Sequence, residues 1–244
     1  MSISRIGNAS FSSAQAVSLT ITLPSHQTDD YIVIMVGNGE DSPQPTIDSG
    51  TITTNYTPLG TLGFLDYGNG GISTHMYYRK ATSGAESNPT ITWNTGSATG
   101  GGVWALAAVY RSTIGWHDTN PISLNPASGV STGTSSTPQA PEGFGAIEII
   151  HNNTYVAHFL QTSDNNIQTL GTANGWGTPS GGNTTSGSDG SIYVTEQFFS
   201  ASGIKDSPIW SLDVGPDNYS WRFIQLREKT ITGYWAENLI RVKA

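Results

Sequence analysis

The sequence contains no cysteine among its 244 residues. Disulfides, thiolate metal sites and cysteine nucleophiles are therefore excluded together, and stability must come from burial and strand pairing. Charged residues make up only 11% of the chain, so neutral polar groups must cover most of the surface. Such a surface suits a protein that packs closely against neighbouring proteins or glycans.

Basic residues are scarce as well, with 10 Lys and Arg against 18 Asp and Glu and a formal net charge of -8. No cluster of Lys and Arg offsets that charge, so we expect no nucleic-acid partner. No apolar run approaches the roughly 20 residues of a membrane span, and we expect no membrane insertion. The first residues lack the apolar segment of a secretion signal, so we expect release by lysis or by a dedicated machine.

The residues that are present predict an all-β protein. The chain has 29 Gly and 12 Pro, is rich in Ser, Thr and Asn, and has few blocks of strong helix formers. Its most apolar stretch, residues 100–111, is a run of apolar residues bounded by turn formers. That length and those flanking glycines favour a strand buried on both faces.

Further strands are predicted on both sides of this stretch. Residues 17–23 alternate apolar side chains with Ser or Thr, and residues 31–36 are continuously apolar, as in a central strand. Asn69-Gly70 is the strongest hairpin signal, because both residues accept a positive φ, and residues 72–80 form the returning strand. Residues 89–93 are a further short strand.

The second part of the chain repeats this order of elements. We match residues 154–160 with 31–36, 191–199 with 73–79, 208–212 with 89–93, and the Trp-led run 218–227 with 100–111. The order predicts a diverged duplication. The predicted fold is an antiparallel β-sandwich of two pseudo-repeated halves, which are either separate Ig-like domains or share one jelly-roll-like core, and we favour close contact between them.

The predicted boundaries follow from composition. Residues 1–116 form the first half, residues 117–137 a Ser/Thr/Pro-rich connector, and residues 138–228 the second half. The remaining segment, residues 229–244, is either one more strand of the sandwich or an arm that docks on a neighbouring subunit.

The sequence shows no pattern of catalytic or metal-binding residues. No two of its five histidines have the close spacing of a metal site, and His158, amid apolar neighbours, is interpreted as a strand residue with a hydrogen-bonded ring. No Gly-x-Ser-x-Gly elbow or phosphate loop is found in a suitable context. We therefore predict no catalytic residue, no metal and no cofactor.

Acidic residues cluster at Asp29-Asp30 and at Glu40-Asp41, which flank the predicted strand 31–36. The two pairs are then roughly 20 Å apart, too far for a glycosidase carboxylate pair. We interpret them as solvated turn residues. Calcium held by loop carboxylates near Glu40, Asp41 or Asp189 is the alternative.

Aromatic residues outside the predicted strands are the candidates for contact with a partner. Trp116, Trp176 and Tyr67 lie in loops, and Tyr234 and Trp235 lie in the terminal segment. An exposed ring at such places is favourable against another protein or the face of a sugar. The alternative is that these rings cap the ends of the sandwich. The remaining tryptophans lie in predicted strands and are assigned to the core: Trp93, Trp104, Trp210 and Trp221.

The order of short motifs resembles a β-sandwich module of tailed-bacteriophage structural proteins and of some bacterial surface proteins. The resemblance spans about residues 15–228 and rests on Asp29-Asp30 before the strand 31–36, on 76–81, 89–93 and 104–111, and on Pro138-Gln-Ala-Pro141. In the family's pattern, a Gly followed by an Asp precedes that strand, where this chain has Thr28-Asp29-Asp30. The resemblance implies a non-enzymatic virion component of the minor-tail, fibre-associated or capsid-surface type, with no catalytic residues.

Three functional hypotheses follow. The first is a structural protein on the exterior of a phage particle, assembled in the host cytoplasm, which binds capsid or tail proteins and is repeated by symmetry. The second is an adhesin that binds host surface glycans through Trp176, Trp116 or loop tyrosines. The third is a polysaccharide-degrading enzyme. The sequence leaves the choice between head and tail open.

Overall fold

The computed structural model describes residues 2–16, 18–39, 51–52, 56–60, 63–65, 72–92, 102–125, 128–138, 146–185 and 189–230. Within these ranges the regular elements are β-strands, the pairs are antiparallel and no helix occurs, so the all-β prediction is confirmed. The strands of the first half are β1 (Ile3–Arg5), β2 (Ser10–Ala14), β3 (Ser18–Thr20), β4 (Tyr31–Gly39), β5 (Thr51–Ile52), β6 (Thr57–Pro58), β7 (Gly63–Leu65), β8 (Ile72–Lys80), β9 (Thr90–Thr92) and β10 (Val103–Ser112). Those of the remainder are β11 (Ile122–Leu124), β12 (Gly129–Ser135), β13 (Ala146–Ile149), β14 (Thr154–Thr162), β15 (Gln168–Thr172), β16 (Ser180–Thr184), β17 (Gly190–Phe199), β18 (Gly203–Asp206), β19 (Ile209–Leu212) and β20 (Asp217–Arg227).

Two large sheets form the centre of the molecule. The first has the order β1-β10-β4-β8-β6, with β2 also paired to β10 and β7 to β8. The second has the order β11-β20-β14-β17-β16, with β12 also paired to β20. The apolar stretch of the sequence supplies β10, whose first eight residues are buried, so the prediction of a strand buried on both faces is confirmed.

The two large sheets face each other across a shared core. Alternate residues of each strand point into it, such as Tyr31, Val33 and Met35 of β4 and Tyr155 and Phe159 of β14. Because side chains from both halves interdigitate there, the halves are joined by packing rather than by a linker alone.

The opposite face of each large sheet carries a second core. In the first half, Ile32 and Ile34 pack under the small sheet β3-β9-β5, so this outer core is mostly aliphatic. In the second half, His158 and Phe223 lie under the β15-β19 and β13-β18 pairs, Trp210 of β19 packs onto them, and this outer core is mostly aromatic. The continuous apolar sequence of the central strands follows from burial on both faces.

The contacts between the large sheets are reciprocal. Strand β10 lies against β17 and β20 against β8, while β2 meets β16 and β12 meets β7. Since β10 and β20 hold the same place in their sheets, as do β8 and β17, the arrangement is that of an isologous dimer within one chain. The duplication of the sequence itself stays a prediction.

The strand register corrects one part of the predicted repeat. Tyr31 pairs with Tyr110, and its counterpart Tyr155 pairs with Leu226. Six residues before these partners stand Trp104 and Ser220, so Trp221 is one position away from the counterpart of Trp104. A shift of one residue changes the face, and Trp104 indeed lies in the shared core whereas Trp221 lies in the outer one. The Trp-led echo is therefore out of register.

The predicted connector, residues 117–137, is wrong as a linker. It contains β11 and β12, which pair with β20 in the second large sheet. Beyond them, the carbonyls of Ser136 and Pro138 accept hydrogen bonds from β19. Ser and Thr favour extended backbone as well as loops, so composition alone did not distinguish the two. Of the predicted terminal segment, residues 231–244 lie outside the described residues.

Candidate functional site

Two clefts open on either side of the segment that follows β10. The first, about 310 Å³, is lined by Asp29, Asp30 and Arg111 among others. The second, about 270 Å³, is lined by residues that include Asn153 and Arg227. The first cleft lies where β4 begins and β10 ends, and the second lies where β14 begins and β20 ends.

The register shows that the clefts occupy matched positions. Thr154 is the partner of Arg227 on adjacent strands, and continuing the pair of Tyr31 with Tyr110 by one residue sets Asp30 beside Arg111. Arg227 is therefore the counterpart of Arg111, and Thr154 is the counterpart of Asp30. The guanidinium is kept in both halves, while the carboxylate is present only in the first.

The first cleft is built around a buried ion pair. Asp30 is 1% exposed, and its two carboxylate oxygens accept hydrogen bonds from Arg111 Nε at 2.8 Å and Nη2 at 2.7 Å. The backbone amide of Gln27 donates to Asp30 Oδ2 at 2.8 Å. The hydrogen bonds to Asp30 raise the pKa of Arg111. Asp30 was predicted to be a solvated turn residue, and this is wrong because a bidentate guanidinium replaces its water.

The residue before Asp30 shapes the turn. Asp29 has a left-handed φ of 73°, and its counterpart Asn153 has a φ of 54°. Asp and Asn tolerate this conformation better than most residues, so both halves can make the turn without a glycine. Its carboxylate meets Lys80 Nζ at 2.8 Å with both side chains largely exposed, which makes this a weak surface pair.

Trp116 borders the first cleft, but its ring is not free for a partner. The side chain is 8% exposed, it meets Tyr31 edge to face at 4.7 Å, and its Nε1 donates to the carbonyl of Asp29 at 2.7 Å. The expectation of an exposed ring is therefore wrong, because the tryptophan covers the end of the shared core and fixes the turn.

Trp176 is buried in the same way. It is 5% exposed, its Nε1 donates to the carbonyl of Asp206 at 3.1 Å, and its ring contacts Phe199 and Phe223. Its position in a glycine-flanked turn suggested exposure, but the turn folds back over the outer core of the second half. The remaining predicted contact residues, Tyr67, Tyr234 and Trp235, lie outside the described residues.

The second cleft has a different charge pattern. Arg227 has no ion pair among the described residues, and Lys229 meets Asp118 only at 3.9 Å, with both side chains more than half exposed. The pKa of His151 is lowered, first by burial and then by the positive charges of Arg227 and His117. The cleft is thus lined by two cationic side chains, Arg227 and Lys229, and by one carboxylate, that of Glu228.

A separate buried cluster links the two halves. Glu196 is 8% exposed, and its Oε1 meets Arg5 Nε and accepts a hydrogen bond from the Tyr110 hydroxyl, each at 3.1 Å. Burial raises the pKa of Glu196, while Arg5 opposes that shift. Arg5 and Tyr110 belong to the first sheet and Glu196 to the second. The cluster therefore joins the two large sheets across the shared core by an ion pair and a hydrogen bond.

His158 is part of the outer core of the second half. Its ring stacks on Phe223 at 4.0 Å, and its Nδ1 accepts a hydrogen bond from Trp210 Nε1 at 3.2 Å. Burial lowers the pKa of His158 to about 3, so the ring is neutral at ordinary pH. The interpretation of His158 as a strand residue with a hydrogen-bonded ring is confirmed.

The described residues contain no group of three or more His, Asp or Glu side chains arranged for a metal ion. Asp189 is among these residues, whereas Glu40 and Asp41 lie outside them. In the described part of the chain there is also no helix with the length and apolar character needed to cross a membrane.

The fold and the clefts define an all-β protein of two face-to-face antiparallel sheets with a cleft at one strand end of each. No family model, curated protein or solved structure matches the chain.

Sequence reasoning missed both arginines of the clefts. Arg111 and Arg227 each follow the apolar run of a strand, at or next to its last residue, and that position is the signal that could have found them. The difference between them was not visible, because it depends on which residue of the neighbouring strand lies beside each guanidinium.

Proposed function

We propose that this protein is a non-enzymatic structural component on the exterior of a tailed-bacteriophage particle, where it binds capsid or tail proteins. The observation that carries the proposal is the face-to-face packing of two sandwich halves over one shared core. Such packing makes a rigid body with two outer layers, which suits a component that is repeated by symmetry and acts through its shape. The resemblance to phage sandwich modules favours the same conclusion.

The non-enzymatic part of the proposal rests on how buried carboxylates are used. Asp30 holds Arg111 by two hydrogen bonds, and Glu196 holds Arg5 and Tyr110. A glycosidase needs two carboxyl groups that face a substrate and exchange protons. These two carboxylates instead serve as permanent partners of arginines within the fold.

The composition of purified phage particles tests the proposal directly. Phage particles produced with the gene are purified by density gradient and probed with antibodies against the full chain, by immunoblot and by immunogold electron microscopy. We expect the chain to co-purify with the particles and to label a regular set of sites on one part of them. Particles that lack the chain while it accumulates in the soluble lysate would overturn the proposal.

The runner-up function is recognition of a host surface glycan. Trp116 and Trp176 do not support it, because both rings are buried. The observation that favours it is the second cleft, where Thr154 lies beside Arg227 and no counterpart of the Asp30 carboxylate is present.

A further inference from the structure

In the second cleft, Arg227 lies at the position that Arg111 has in the first, but the residue beside it is a threonine instead of an aspartate. In the first cleft, the guanidinium of Arg111 donates two hydrogen bonds to the carboxylate of Asp30. At the matched place in the second half, Thr154 uses its hydroxyl to donate to the carbonyl of His151 at 2.7 Å. A threonine hydroxyl carries no charge, so the guanidinium of Arg227 has no carboxylate beside it in the described part of the chain.

A second cation lines the cleft. Lys229 lies there together with Arg227, whereas His151 nearby favours its neutral form, because burial and the charges of Arg227 and His117 lower its pKa. The acidic lining residue is Glu228, which follows the end of β20 and whose pKa is raised by burial, and the two cations Arg227 and Lys229 outnumber it. A site of this kind attracts an anionic group even in a protein of net negative charge.

The rest of the lining is suited to a hydroxylated molecule. Asn152 uses its Oδ1 to accept from the amide of Ser202 at 2.7 Å, which leaves its NH₂ group as a donor. Asn153 and Thr230 add further neutral polar groups, and Ile114, 38% exposed, supplies an apolar contact. Amides, a hydroxyl and one aliphatic side chain complement the hydroxyls and the C–H face of a sugar ring.

We propose that this cleft binds a carboxylated sugar, with the carboxylate held by Arg227 in the way that Asp30 is held by Arg111. A guanidinium takes a carboxylate through two parallel hydrogen bonds, which fixes the ring relative to the amides of Asn152 and Asn153. The cleft volume of about 270 Å³ is sufficient for one such ring. This inference does not depend on where the chain sits in a particle, so the particle experiment and the binding experiment can fail independently.

The test measures binding of sodium glucuronate to the full chain by calorimetry, with glucose, inorganic phosphate and sulfate in parallel. We expect a dissociation constant on the order of 1 mM for glucuronate, as for a single small ligand with one charged anchor. Glucose should bind at least tenfold more weakly, because it lacks the carboxylate. Equal binding of phosphate or sulfate would overturn the assignment to a sugar, and absence of glucuronate binding would overturn the site.

Two variants locate the site, and a third is the control. Arg227→Gln removes the anchor, and Thr154→Asp places a carboxylate beside Arg227 as in the first cleft. Each should weaken glucuronate binding by tenfold or more, with Arg227→Gln decisive if Thr154→Asp fails to fold. Lys80→Gln removes an exposed cation of the first cleft and should leave binding unchanged. Unchanged binding by Arg227→Gln, or an equal loss in Lys80→Gln, would contradict the proposal.

Discussion

The two halves place an arginine at the same point of the same kind of sheet and use it differently. Arg111 is held by a buried carboxylate of its own half, whereas Arg227 lies beside a threonine. Both halves have an arginine near the end of the strand, and the residue beside that arginine determines whether its guanidinium forms an ion pair within the fold. One residue, Asp30 or Thr154, makes the difference.

The same contrast extends to the interior. The outer core of the first half is mostly aliphatic, and Ile34 occupies the position that His158 occupies in the second half. At the shared core, Gly37 is the counterpart of Gln161, and Trp104 is the counterpart of Ser220. The interface between the halves is therefore reciprocal in its backbone and asymmetric in its side chains.

The largest expected effect separates the two arginines. Arg111→Gln leaves the carboxylate of Asp30 buried without its cation, and breaking a mostly buried pair in this way costs about 3 kcal/mol. Arg227→Gln breaks no such pair and should change stability by no more than about 0.5 kcal/mol. Urea unfolding of both variants measures the two free energies. Equal losses would show that the two positions are not used differently.

Acid tests the buried histidine of the second half's outer core. The pKa of His158 falls from 6.5 to about 3 on folding, so the neutral ring adds stability above pH 6.5 that is lost as the pH decreases towards 3. At pH 4.5 the loss from this residue is about 3 kcal/mol. His158→Gln should lower stability at pH 7 and flatten the decline between pH 6.5 and 4.5, as followed by thermal unfolding. A residual slope should persist, because burial also lowers the pKa of His75, to about 4. An unaltered pH profile in the variant would contradict the assignment.

The shared core gives a third, smaller effect. A Cβ added at Gly37 would lie 2.4 Å from both Trp104 Nε1 and Gln161 Nε2, so one of these buried side chains must move. We expect Gly37→Ala to cost about 2 kcal/mol. Gly171→Ala is the control, since the nearest atoms there are 3.7 Å away. Equal stability of the two variants would show that the halves pack less closely than described.

The fold was largely predictable because a strand that is buried on both faces has a continuous apolar sequence. Continuous apolar runs marked β4, β10 and β14, and alternation marked β3. The strands β11 and β12 were not predictable, because a Ser/Thr-rich edge strand has the composition of a loop. The register of β20 was not predictable either, because aligning Trp221 with Trp104 differs from the true register by one residue, and a shift of one residue changes the face of the sheet.

The candidate site was less predictable than the fold. Exposure of Trp116 and Trp176 was inferred from their loop positions, yet each donates its Nε1 to a loop or strand carbonyl and covers a core. The role of Asp30 depends on Arg111, which is 81 residues away in the chain. Such a pair becomes visible only when the register of adjacent strands is known.

The smallest expected effect tests whether one residue accounts for the difference between the clefts. Thr154→Asp gives the second half the carboxylate of the first, where the amide of residue 151 can donate to it as Gln27 does to Asp30. In a double-mutant cycle with Arg227→Gln, we expect the new pair to show a coupling energy of about 1 kcal/mol. The cycle is measured by urea unfolding at low salt, and the coupling should weaken as the salt concentration rises, because the guanidinium is partly exposed. A coupling of zero would mean that the guanidinium of Arg227 does not reach the place that Arg111 reaches, and the comparison of the two clefts would then hold for the backbone alone.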